Sequence, residues 1–123
     1  MNRFRFRLQG LLDRARKRET ATQASLAAVL RVQAERRAAL GALDAAPFEV
    51  LRLLDDARAA CRRRLATSHD EIAHLRCAVM AAARERRALE TLRERRRAEF
   101  ELARARAEDR ELDELNAQRT RRA

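Results

Sequence analysis

The sequence predicts an all-α fold: an antiparallel two-helix coiled-coil hairpin with an overlong C-terminal helix, forming one domain over residues 1–123. Three observations predict it. Ala, Glu, Lys, Leu and Arg supply 85 of the 123 residues, well above the roughly half that marks coiled coils and long helices. Gly occurs twice and Pro once, so helix breakers are scarce. Two heptad seams flank the only cluster of those breakers. A β-sandwich, a barrel or a dinucleotide-binding fold needs turn and β-branched residues that are missing here. Four aromatics and 39% charge cannot both fill a core and line a cleft. The chain reads as a non-enzyme, with no catalytic residues, cofactor or metal.

The first helix is expected over about residues 3–43. A 4-3 step starting at Leu8 passes through Leu12, Ala15, Glu19, Thr22, Leu26, Val29, Gln33, Arg36, Leu40 and Leu43 without a break. Gly10 lies inside this stretch and costs about 1 kcal/mol against alanine. The bend is expected over about 44–47, where Gly41, Asp44 and Pro47 cluster. Asp44 suits an N-cap and Pro47 a first turn. So short a connection makes the helices antiparallel neighbours.

The second helix is expected over about 48–118. Its seam runs Leu51, Leu54, Arg58, Cys61, Leu65, Ser68, Ile72, Leu75, Val79, Ala82, Arg86 and Leu89. The next positions are Arg93 and Arg96, and the apolar register fails. A hairpin bending near residue 46 sets Leu89 opposite the start of the first helix. The remaining roughly 30 residues, about 45 Å of helix, then project without a partner, carrying Leu92, Phe100, Leu102, Leu112 and Leu115. The polar seam residues Glu19, Gln33 and Arg36 argue against further assembly, so a monomer is expected.

The longest run free of polar residues is Cys77–Ala83, far short of the about 20 that a membrane span needs. No apolar segment follows the basic start, as a secretory signal would require. Two cysteines make no disulfide framework, and His74 with Cys77 falls short of a four-ligand zinc site. These features point to the cytosol, with at most a peripheral association with a membrane.

Charge is concentrated. Residues 84–97 carry seven arginines and three glutamates, and residues 1–18 seven basic side chains and one aspartate. The predicted hairpin brings these segments together, so the base of the projection should attract an acidic surface. Arg3-Phe4-Arg5-Phe6-Arg7-Leu8 alternates with period two. That is a strand signal, but no second strand is in sight to pair with it. It reads either as a frayed helix start or as an exposed aromatic-basic contact patch. Arg3, Arg5, Leu92, Arg93, Arg95, Arg96, Arg97, Phe100 and Leu102 form the candidate binding set. Phe48, off the seam beside the bend, is either a second partner surface or a staple against Leu43.

Phe4-Arg5-Phe6-Arg7-Leu8-Gln9 with Leu11-Leu12, then an Ala/Arg/Glu-rich helix, resembles the flagellar export protein family FliJ. So does the stretch from Leu89-Glu90-Thr91-Leu92-Arg93-Glu94-Arg95-Arg96-Arg97 to Glu99-Phe100, and Glu111-Leu112-Asp113-Glu114 near the end. The resemblance implies a coiled-coil stalk that inserts into a hexameric export ATPase and couples it to the export gate membrane protein. It also implies contact with export chaperones and a location at the cytoplasmic face of the inner membrane. The stalk proteins of virulence-type secretion systems are a sister possibility. A nucleic-acid-binding or adaptor coiled coil is the competing class. The arginines are interleaved with glutamates and no basic-region or helix-turn-helix pattern occurs, so nucleic acid is the weaker reading.

Overall fold

A computed structural model describes residues 3–123. It is an all-α hairpin whose two long helices, α1 (Gln9–Asp44) and α3 (Asp55–Arg122), pack against each other. The short helix α2 (Phe48–Leu51) and a 3-10 turn (Arg52–Leu54) connect them. Among the described residues there is no strand. The chain forms two compact units, Arg14–Arg86 and Met1–Asp13 with Arg87–Ala123.

Within Arg14–Arg86 the core is narrow, as two helices alone permit. Ala15, Ile72 and Ala82 are its buried apolar side chains, joined by the polar Gln33 and Ser68. Every position of both heptad seams in this unit is buried or half-buried, while nearly all of the remaining α1 positions are exposed. Polar seam residues meet across the helices. The Arg86 Nε donates to the Glu19 carboxylate, and Gln33 Nε2 lies 3.3 Å from His69 Nδ1. Arg36 donates to the Ser68 hydroxyl, which in turn donates to the Arg64 carbonyl at 2.9 Å. Each cross-helix pair satisfies groups that would otherwise lose water, and a register slip would orphan them.

These pairs correct the predicted register. A bend at residue 46 would set Glu19 opposite the early seventies, yet it faces Arg86, about three and a half turns further along α3. Arg18 agrees, with Nη1 2.8 Å from Glu85 Oε2. The reason is the length of the turn. The N–H groups of Val50 and Leu51 donate to the Pro47 carbonyl at 2.9 and 3.1 Å, so α2 and the 3-10 turn spend residues before α3 begins. Leu89 is therefore not the end of the paired seam.

The turn chemistry also differs from expectation. Gly41 does not stop α1, which continues to Asp44. Asp44 caps no helix start. Its carboxylate accepts from Arg58 Nε at 2.8 Å and ties the end of α1 to α3. Pro47 stands at the N-cap of α2, without a side-chain cap. The second helix is not one piece from 48, since the 3-10 turn interrupts it, and α3 runs on to Arg122.

In the other unit α1 begins at Gln9, not near residue 3. Residues 3–6 are non-helical and 7–8 form a turn, with Gln9 N–H donating to Phe6 C=O at 3.0 Å. Period-two alternation explains it. A helix would send Phe4 and Phe6 to different faces, whereas the observed strap leaves both half-buried and Arg3, Arg5 and Arg7 exposed. Leu12 is fully buried in this unit.

Candidate functional site

A surface groove lies within the unit that contains the N-terminal strap and the second half of α3. Phe4 and Phe100 meet with ring centroids 5.7 Å apart and planes tilted by 53°, a favoured geometry for an aromatic pair. Beside them a groove of about 670 Å³ is walled by Phe6 and Leu8 from the strap and Leu92 from α3. Its charged margin is Arg5, Arg7, Arg96 and Glu99. The walls are half-buried and the four charged side chains exposed. Arg96 lies 3.9 Å from Glu99, while Arg5 and Arg7 make no ion pair among the described residues.

The structure divides the predicted binding set. Arg5, Leu92, Arg96 and Phe100 come together in this groove. Arg93 and Arg97 line a smaller hollow with Glu101, in which Arg97 Nε lies 3.3 Å from Glu101 Oε1. The Arg93 Nε is buried without a hydrogen-bond partner among the described residues. Arg3, Arg95 and Leu102 are exposed and line neither feature. The expectation that everything after Leu89 lacks a partner in the chain is corrected here. Leu92 and Phe100 are half-buried, and Phe100 is held by Phe4. The candidate binding set left out Phe4, Phe6 and Arg7, although the contact-patch reading of the strap took them in. The period-two signal was present, but its partner is a helix rather than a strand.

From Glu101 to Arg122 α3 is wholly exposed. Leu102, Leu112 and Leu115 each expose more than half their surface, and Leu112 and Leu115, three apart, share a face. Local ion pairs support the helix, as between Arg104 Nε and Glu108 Oε1 at 3.1 Å.

At the bend, in the unit Arg14–Arg86, Phe48 is 79% exposed, too open for a staple against Leu43. Leu53, which lies off the seam, is 84% exposed, and Val50 is exposed as well. Cys77 is exposed and Cys61 half-buried. Among the described residues no cluster of His, Cys, Asp or Glu could hold a metal ion. No helix there is long and apolar enough to cross a membrane.

The family model described as "FliJ: Flagellar FliJ protein" matches residues 49–123, which take in α3 and nearly all of α2. No curated protein and no solved structure matches the chain. The family match covers more than half of the sequence, and the chain belongs to the FliJ family.

Proposed function

We propose that this FliJ-family chain is the non-enzymatic central stalk of the flagellar type III export apparatus. Family membership makes it a component of flagellar protein export. The stalk reading adds the partners. The exposed run of α3 from residue 101 to 122, with the arginines at its base, binds the hexameric export ATPase. Phe48, with Leu53 and Val50, faces the export gate. The stalk works in the cytoplasm, at the inner membrane, where export chaperones can also reach it.

The single observation carrying this reading is a long helix that buries nothing. Residues 101–122 keep their helix with every side chain exposed and three leucines open to a partner. One helix is about 10–12 Å across, narrow enough to enter a ring. Leu102, Leu112 and Leu115 supply apolar contact, and Arg3, Arg93, Arg95, Arg96 and Arg97 steer docking onto an acidic mouth. The flagellar identity of the matching family favours this system over a virulence-type one.

The test is a chain ending at Phe100, mixed with the purified export ATPase. It should keep the packed part of the hairpin and lose stimulation of the hexamer. Full stimulation by the shortened chain refutes the assignment. If the shortened chain instead loses DNA binding while the ATPase responds normally, the nucleic-acid reading replaces it.

A further inference from the structure

The groove between the strap and α3 is a site distinct from the bare helix beyond it. We infer that it binds a short acidic, amphipathic peptide segment of a partner protein. The inference relies on the stalk reading only for which protein carries that segment.

Three features define the occupant. The walls are apolar: Phe4, Phe6, Leu8, Leu92 and Phe100 are half-buried, so their outer faces are still wet and gain by being covered. The margin sets three arginines against one glutamate, and Arg5 and Arg7 have no acidic partner among the described residues. An arginine fork suits a carboxylate, which it can engage through two parallel N–H donors. The third feature is the strap's backbone. Among the described residues, the N–H groups of residues 4–7 have no backbone acceptor, and the strap alternates exposed and half-buried side chains as an edge strand does. A peptide lying along it can pair with these donors in the manner of strand addition. Its carboxylates meet Arg5 and Arg7, and its alternate apolar side chains enter the groove.

A single-stranded nucleic acid also likes arginine and aromatic surfaces. It is the poorer fit, because bases need open ring faces to stack on. Here Phe4 and Phe100 are engaged with each other, tilted by 53°, and two of the walls are leucines, which give a base no ring to stack on.

The experiment measures fluorescence anisotropy of three labelled probes against the full chain. The probes are a 12-residue peptide alternating leucine and glutamate, the same peptide with lysine for glutamate, and a 12-nucleotide oligothymidylate. The acidic peptide should bind and the lysine peptide should not. Arg5→Glu with Arg7→Glu, and separately Phe4→Ser, should each weaken the acidic peptide at least about tenfold. Arg31→Glu with Arg76→Glu, exposed changes of the same charge elsewhere, should leave binding within about twofold. Circular dichroism checks that each variant keeps its helices. The inference falls if the acidic peptide does not bind, or if the Arg31 and Arg76 reversals weaken it equally. It also falls if oligothymidylate binds more tightly through the same residues. None of these outcomes bears on whether the chain ending at Phe100 stimulates the ATPase, so the groove and the stalk stand or fall separately.

Discussion

Residues 65–86 and 101–122 are equally long stretches of one helix, α3, in opposite circumstances. In the first, every seam step, from Leu65 through Ser68, Ile72, Leu75, Val79 and Ala82 to Arg86, is buried or half-buried: Ile72 is 4% exposed and Ser68 1%. In the second nothing is covered. Helix formation itself does not separate them, because both lack Gly and Pro and both are rich in good helix formers. What separates them is the spacing of apolar residues. A sustained 4-3 step recruits a partner from within the chain, while Leu102, Leu112 and Leu115 are too sparse to do so. A helix built this way is stable where it is paired and available where it is not.

The largest effect that tests this contrast is a charge placed on each stretch. Ile72→Asp buries a carboxylate between α1 and α3 and should destabilise the fold by about 3 kcal/mol or more. Thermal melts followed by circular dichroism should show loss of most cooperative unfolding. Leu112→Asp should shift the same melt by no more than about 0.5 kcal/mol. Equal sensitivity at the two positions would mean that the exposed run is covered in solution.

The seam was legible because a heptad is a local period, readable from Leu8 to Leu89 without knowing what packs on it. The register was not. It depends on how many residues the turn consumes, and Phe48–Leu51 forms a helical turn that the Pro47 signal alone does not announce. The misplaced register then made Leu92 and Phe100 look unpartnered. The strap shows the same limit from the other side. Its alternation is plain in Arg3-Phe4-Arg5-Phe6, but pairing rules look for a second strand, and the chain supplies a helix. The tip was half legible: Phe48 falls off the seam, but Leu53 draws attention only once the 3-10 turn rotates it outward.

The next effect compares ion pairs. Glu19 and Arg86 are mostly buried, with side chains 13% and 25% exposed. Glu19→Ala removes one charged acceptor from a partly buried guanidinium and should cost about 1–3 kcal/mol. Exchanging the two, as Glu19→Arg with Arg86→Glu, should recover part of that cost, and a double-mutant cycle isolates the coupling. No coupling would remove the pair as a register device.

An intermediate case is the strap. Phe4→Ala removes one ring of a half-buried pair, and the aromatic contact alone is worth about 0.5–1.5 kcal/mol. The strap can open without unfolding the hairpin, so the global melt should move little. Hydrogen exchange should report the loss instead, with faster exchange confined to the α3 amides around residues 92–100. Faster exchange throughout Arg14–Arg86 would mean that the strap supports the whole hairpin.

The smallest effect is expected at Arg104 and Glu108, the exposed counterpart of Glu19 and Arg86. The two side chains are 56% and 60% exposed, water competes for both, and salt screens them. The order also matters: arginine precedes glutamate here, which opposes the helix dipole and is the weaker arrangement of an i,i+4 pair. Arg104→Ala should therefore change stability by less than about 0.5 kcal/mol, and alanine's own helix propensity offsets part of that. Helicity by circular dichroism should match that of the parent chain at both low salt and about 1 M salt, where the Debye length is about 3 Å. A drop confined to low salt would show that local ion pairs hold the exposed run together. The run would then depend on solution conditions in a way the seam does not, and its order on entering a partner would be set by ionic strength.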